Sequence, residues 1–441
     1  MKFFAPLLCL LLLTACGGGS DTTPVEQTKP DIPKPVIPPL KIKVQQARSC
    51  GGILPSANAE LLIYNNDWQI ISRHQANSDG SFQLVPTTSL INFSVINKGD
   101  QNGAQDVNVH AFAQVESGDF GTLILGTTAN GCQCETLSVI FSKVSSSPIE
   151  KIVLNYDASR GNINSPVINN QASVEICRES GSAWPVLTFS ALDQQGEWFY
   201  QQIEQYSAGQ PLQVNLNQGV SYPINFQSNI RADFLTSTYY TKHGAIVPLS
   251  NSRDKLLAVT GLKEMKFAAL RAANNLTLEY GENYQTYTYA RHQFNRRSDF
   301  FAPINFKLPT PDQAQSLGKL FQTEWMSNTQ PSRYDFTAFS GYRMATIYQV
   351  EPLTNGGYIY QSIMSPLQGS MPADLLPAGY LNSVLRAAVP KLELEIQLDT
   401  IHTDLNMTEH AKQLMNYYAT LPSKVERPAE LTSVGVAVTR W

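Results

Sequence analysis

The chain has 441 residues and a formal net charge of -4, with 42% hydrophobic, 10% aromatic and only 15% charged residues. That balance suits roughly two to four folded domains, excludes a disordered chain, and offers no basic field for nucleic acid or anionic lipid. The 27 glycines and 26 prolines, with plentiful Tyr, Thr, Asn and Gln, predict a mainly β protein of tandem β-sandwich domains, with a few short helices in the C-terminal half.

At the N-terminus Lys2 precedes an apolar run from Phe3 to Leu13, too short for a membrane-spanning helix and of the length of a signal-peptide core. The residues Leu13-Thr14-Ala15-Cys16 then resemble the lipobox of bacterial lipoproteins. That resemblance implies removal of residues 1–15, acylation of Cys16, and a nearly permanent lipid anchor. The alternative is an ordinary secretory signal with a coincidental cysteine. Gly17, Gly18, Gly19 and Ser20 follow, with no acidic residue beside Cys16. In the sorting pattern this resembles, an Asp there retains the protein at the inner membrane, so the implied location is the outer membrane, on either side of it. No later segment reads as a spanning helix. A spanning β-barrel is also disfavoured, because Val434, Val436 and Val438 lie on the opposite parity to Trp441, which fits a soluble edge strand better.

Residues 16–40 read as the lipidated cysteine and a tether, in which Pro24, Pro30, Pro33, Pro35, Pro38 and Pro39 forbid helix and interior strand. In polyproline II conformation, at ~3.1 Å per residue, such a spacer reaches about 60 Å. A disordered linker of untuned length is the alternative.

Residues 41–127 form the first module. Strands are predicted at Ala59–Tyr64, Trp68–His74, from Ser81, and at Leu90–Ile96, Val107–Val115 and Thr122–Leu125, with turns at Asn65-Asn66-Asp67 and Asn77-Ser78-Asp79-Gly80. Ala57-Asn58-Ala59, then Asn77-Ser78-Asp79-Gly80-Ser81-Phe82, then Phe120-Gly121-Thr122-Leu123-Ile124-Leu125 resemble the carboxypeptidase regulatory-like domain. The resemblance covers about a fifth of the chain. It implies a transthyretin-like β-sandwich with a non-catalytic accessory role, and it carries over no active-site residues.

Residues 134–226 read as a second β-sandwich, with strands at Leu137–Phe141, Ile152–Leu154, Val174–Cys177, Val186–Leu192, Trp198–Ile203, Leu212–Leu216 and Tyr222–Phe226. Trp184 and Trp198 are expected in the core. Residues 227–441 remain β-rich, with a division near 309, a strand at Asn283–Tyr289 and a hairpin over Asp335–Val350. Helices are predicted from Pro311 to Trp325, and after a cap at Asp404 with Met407, Ala411, Leu414, Tyr418 and Leu421 facing a sheet.

Cys9 leaves with the signal peptide and Cys16 is taken by lipid, which leaves Cys50, Cys132, Cys134 and Cys177 in an oxidising compartment. Three pairings are open. The preferred one is Cys50–Cys132, closing the first module, with Cys134–Cys177 stapling the second. The rival is a copper or zinc site on Cys132-x-Cys134, which has no His or Met nearby.

The standard catalytic signatures are missing: no G-x-S-x-G, H-E-x-x-H, Walker A or G-x-G-x-x-G sequence occurs. Ser316-x-x-Lys319 matches the first motif of penicillin-interacting enzymes without its partner motifs. His402, Asp404, Glu409 and His410 cluster at no standard ligand spacing, and read as solvated helix-end residues. Asp100, Asn102, Gly103 and Asp106 lack the Glu and spacing of an EF-hand and read as a polar turn. Tyr287, Tyr289 and Arg291 fall on one face of a strand and form a candidate binding strip for sugar rings or a protein partner, unless they cover the core. The expected function is a non-catalytic binding or scaffolding lipoprotein of the cell envelope. It needs no cofactor or metal, binds no nucleic acid, and has the membrane plus an envelope protein or glycan as partners. The alternatives are a glycan- or peptidoglycan-binding lipoprotein, and an envelope hydrolase built around Glu324, His292 or His402.

Overall fold

The computed structural model describes residues 36–441 apart from 102–103, 144–145, 156–168, 208, 220, 242–243, 248–255, 260–264, 282–283, 300–301, 322–332, 373, 382–392, 402–403, 419–428 and 441. Cys16 and the tether as far as residue 35 lie outside that set, as do Asn102, Gly103, Glu324, Trp325, His402, Leu421 and Trp441. The fold is mainly β, with tandem sandwich-like layers and two short helices among the described residues, both in the C-terminal half.

The first eight strands are β1 (Leu40–Arg48), β2 (Ile53–Pro55), β3 (Glu60–Tyr64), β4 (Ile70–Gln75), β5 (Ser81–Leu84), β6 (Leu90–Gln101), β7 (Ala104–Glu116) and β8 (Asp119–Thr128). β1 starts at Leu40, inside the span expected for the tether, because Leu40, Ile42 and Val44 alternate into the core. β3 and β4 form the expected hairpin; the Asn65 side chain accepts the N–H groups of Asp67 and Gln69 and so shapes its turn. The Asn77–Gly80 turn also forms, with Gly80 at φ 81°. A Cβ at Gly80 would lie 2.2 Å from the Val44 carbonyl oxygen, so only glycine fits there. The strand after this turn leaves β4 and pairs with β1 instead. Between the layers, Phe93 stacks on Phe112 at 4.7 Å and Phe120 meets both edge-on, inside a core with Leu61, Val95 and Leu123.

The next six strands are β9 (Cys132–Lys143), β10 (Ile149–Asn155), β11 (Gln171–Glu179), β12 (Leu187–Asp193), β13 (Trp198–Ile203) and β14 (Leu212–Gln218). They form a sheet in the order β10-β12-β13-β14-β9-β11, closed around Val139, Phe141, Ile176, Phe189 and Val214. Both preferred disulfides are present. Cys50–Cys132 joins the loop after β1 to the start of β9, and Cys134–Cys177 joins directly paired residues of β9 and β11. Trp198 is buried, and Trp184 is half-buried beneath Arg178, whose guanidinium lies 4.3 Å from its ring centroid.

The remaining elements are β15 (Ser221–Pro223), β16 (Phe226–Ser228), β17 (Phe234–Thr241), β18 (Gly244–Ile246), β19 (Leu257–Val259), β20 (Met265–Gly281), β21 (Tyr284–Arg296), β22 (Ile304–Phe306), α1 (Pro311–Phe321), β23 (Arg333–Asp335), β24 (Met344–Pro352), β25 (Tyr358–Ser365), β26 (Gln368–Ser370), β27 (Glu393–Ile401), α2 (Met407–Tyr418) and β28 (Glu430–Arg440). Four sequence-based expectations are corrected here. Tyr222–Phe226 is two short strands, broken at Pro223, which has no N–H to continue a ladder. Asp335–Val350 is not a hairpin, because β23 pairs with β26 while β24 turns back into β25 through Leu353–Gly357, with Gly356 at φ 84°. The cap of α2 is Asn406, whose Oδ1 accepts the Glu409 N–H at 2.8 Å; Asp404 is exposed and lies 3.5 Å from Arg343. β28 is an interior strand, held between β21 and β27, with Val434, Val436 and Val438 buried on one face and Ser433 and Ala437 on the other.

One long sheet runs β18-β17-β20-β21-β28-β27-β24-β25-β7-β6-β8-β1-β2. The parallel pairing of β25 with β7 joins strands of the 41–127 segment to those of the C-terminal region. Two cores lie on opposite faces of this sheet. One, with Ile347, Ile363, Leu398 and the valines of β28, is covered by Ala314 and Leu317 of α1. The other continues the phenylalanine core through Met344, Met364, Ile401 and Leu431, and is covered by Ala411, Leu414 and Met415 of α2. Ile37–Trp441 forms one compact unit.

Candidate binding face

Strand alternation decides which side chains meet. Tyr289 pairs with Gly435, which pairs with Gln397, which pairs with Thr346. Directly paired residues share a face, so these four form one row across β21, β28, β27 and β24. Gly435 leaves space for the Tyr289 ring to lie across β28, since a Cβ there would come within 2.3 Å of the ring. The Tyr289 hydroxyl thereby reaches Gln397 Oε1 at 2.6 Å and the carboxylate of Glu395. Gln397 donates to Asp399 Oδ1 at 2.6 Å, which also accepts from the Ser433 hydroxyl at 2.7 Å, while Oδ2 accepts from Thr346 at 3.1 Å.

The result is a buried polar network in the middle of the sheet. Burial pushes the Asp399 carboxyl up to about 6, against the opposing pull of its three hydrogen bonds and of Arg291. Burial also raises Glu395, opposed by the Tyr289 hydrogen bond and Arg291. Tyr289 is held well above the usual phenol range, first by burial and then by the nearby Glu395 charge. Arg291 lies 5.3 Å from the Tyr289 ring centroid, a cation–π distance.

Of the strip expected from sequence, Tyr289 is only 6% exposed and acts as a cross-strand tie, while Tyr287 and Arg291 are half-buried. The face continues sideways. Tyr287 pairs with Ala437, Ala437 with Glu395, Glu395 with Tyr348, and Tyr348 with Ser362. In the next row Glu393 pairs with Val350, and Val350 with Tyr360; Tyr358 stands two residues before Tyr360 on the same face. Tyr358 and Tyr360 are 43% and 38% exposed, with ring centroids 5.8 Å apart. The Tyr-Ile-Tyr alternation after Asn355-Gly356-Gly357 marks this part of the face in the sequence. The signal is a hairpin turn followed by period-2 aromatics.

Asp106 and His292 have structural partners, whereas His410, expected as a solvated helix-end residue, is buried with neither ring nitrogen hydrogen-bonded. Asp106 Oδ1 accepts the Tyr358 N–H at 2.8 Å, tying β7 to the start of β25. His292 is fully buried, accepts the Lys307 N–H at Nδ1 and contacts Glu430 through Nε2 at 2.8 Å. His110 bonds Ser362, and burial lowers it to about 4; His410 on α2 is lowered to about 4 by burial and then by the Arg343 charge. Ser316 and Lys319 lie on the exposed side of α1. Cys134, Cys177 and Glu175 place ligand-type atoms within 4.8 Å of one another, but both sulfurs are bonded to each other, which leaves one carboxylate. No helix among the described residues is long and apolar enough to cross a membrane.

No protein-family model and no curated protein matches this chain. Among solved structures, the Bacillus anthracis TIE protein is 12% identical, covering 62% of this chain and 51% of its own, with a TM-score of 0.15. The pilus adhesin SpaC of Lactobacillus rhamnosus GG is 12% identical, covering 75% and 43%, with a TM-score of 0.14. The native conformation of E. coli alpha-2-macroglobulin is 7% identical, covering 82% and 27%, with a TM-score of 0.11. The chain thus spans about half the length of the first and less of the other two. Likenesses this slight assign neither a family nor a function.

Proposed function

We propose that this chain is a lipid-anchored, non-catalytic binding or scaffolding protein of the bacterial outer membrane. The observation that carries the binding part is the half-exposed sheet face from Tyr287 to Tyr360, which the buried network around Gln397 and Asp399 flanks on the same side of the sheet. Such a face offers broad contact on a rigid support, which is what recognition requires. Residues 41–127, on their resemblance to the carboxypeptidase regulatory-like domain, serve as an accessory module. The anchor rests on Leu13-Thr14-Ala15-Cys16, and the outer membrane on Gly17 following it.

Metabolic labelling with an alkyne fatty acid, followed by membrane fractionation, tests the anchor. The wild type should carry label in the outer-membrane fraction, and Cys16→Ser should lose it. Labelling that persists in the variant overturns the anchor. Crosslinking in intact cells tests the binding role, and a protein that engages neither protein nor polysaccharide would end that reading.

A further inference from the structure

We infer that Tyr287, Tyr348, Tyr358 and Tyr360, with Glu393 and Glu395, form a platform that binds a glycan chain. This rests on the binding-protein reading above and adds the ligand class.

The register places all six on one face of β21, β27, β24 and β25. From Tyr287 to the β25 tyrosines there are four inter-strand steps, about 19 Å at ~4.8 Å each. An extended oligosaccharide of several rings is of that size. The exposure of Tyr358 and Tyr360 leaves ring surface for contact, and Tyr287 is half-buried beside Glu395 and Glu393, whose charges raise its hydroxyl after burial does. Beside them on the same face, the Tyr289–Gln397–Asp399 network ties the strands together, so little ordering remains to be done on binding.

The chemistry selects the ligand. Tyrosine presents an electron-rich face to the C–H side of a sugar ring and a hydroxyl to its rim. Carboxylates accept sugar hydroxyls in charge-assisted hydrogen bonds. A protein interface is depleted of charge at its centre, whereas here Glu395 lies midway across the platform, between Tyr287 and Tyr348. The acidic sign disfavours polyphosphates and anionic lipid, so a neutral or amino-sugar polymer fits best.

The test uses the full-length lipidated protein in detergent micelles. It is sedimented with purified peptidoglycan sacculi and, separately, run through gels containing a soluble neutral glucan. Wild-type protein should be retained by at least one of the two polymers. The double variant Tyr358→Ala/Tyr360→Ala should bind about tenfold more weakly and Glu393→Gln several-fold more weakly, each with an unchanged unfolding midpoint. Tyr222→Ala removes an exposed tyrosine away from this face and should bind as the wild type does. The inference is overturned if neither polymer retains the wild type, or if the double variant binds undiminished. Crosslinking to a single envelope protein that the double variant abolishes, without polymer retention, would overturn the glycan assignment and leave the binding-protein reading standing.

Discussion

Asp399→Asn isolates the energetic consequence of placing a carboxyl group in the middle of the sheet. Asp399 is fully buried, and its folded-state value of about 6 stands above the ordinary 3.8. A carboxyl raised on folding binds its proton more tightly in the native state, so its contribution to stability is complete below about 3.8 and is lost as pH rises through about 6. A shift of roughly two units, at 1.36 kcal/mol each, makes that contribution about 3 kcal/mol. Asparagine preserves the geometry. Its Oδ1 can accept from Gln397 and Ser433 as before, and its amide can donate to the Thr346 hydroxyl, which rotates to accept. The variant therefore lacks this titration and should gain about 3 kcal/mol relative to the wild type between pH 4 and pH 7. For a folded unit of roughly 400 residues that is about 3–4 °C in unfolding midpoint. Scanning calorimetry of both proteins at matched pH values reads the difference, in which all other titrating groups cancel. A constant difference across that range, or a variant that loses ground as pH rises, would show that Arg291 and the three donors hold the carboxylate ionised, and would refute the reasoning.

Further substitutions probe other parts of the fold. Gly435→Ala should destabilise by about 1–3 kcal/mol, because its methyl group displaces the Tyr289 ring; denaturant titration measures this, and a neutral effect would mean the ring does not lie over β28. Replacing both Cys50 and Cys132 by Ser should cost about 2–4 kcal/mol, slightly more than replacing Cys134 and Cys177, because the bridged residues are 82 apart rather than 43; mass mapping of the wild type should find no free thiol among the four. Asn406→Ala should cost about 1 kcal/mol and Asp404→Ala close to nothing, and equal losses in thermal unfolding would contradict the cap assignment.

Local chemistry was legible in the sequence; long-range pairing was not. The turns at Asn65 and Asn77–Gly80 are set by side chains that bond their own neighbouring backbone, so they show in a short window. Both helices show through apolar spacing, yet the cap of α2 was misplaced by two residues because Asp404 and Asn406 are equally good cap types. The valines of β28 declare a face but not how many neighbours the strand has, which depends on β21 and β27 arriving from elsewhere in the chain. The same holds for the candidate face. Tyr287 and Tyr289 could be placed on one side of a strand. That Tyr289 is buried, however, depends on Gly435 and Gln397, more than a hundred residues away.

The parallel junction of β25 with β7 has a consequence for how the chain is made. The hydrogen-bonded pair Tyr358 and Asp106 is 252 residues apart in sequence. During synthesis β7 therefore waits with one edge bare, bearing Val107 and Val109, until β25 emerges. Closing so large a loop is slow, and an unpaired apolar strand edge invites pairing with another chain. The nascent chain thus carries an aggregation hazard from the completion of β7 until β25 emerges, and a fragment truncated after β8 would keep that hazard permanently.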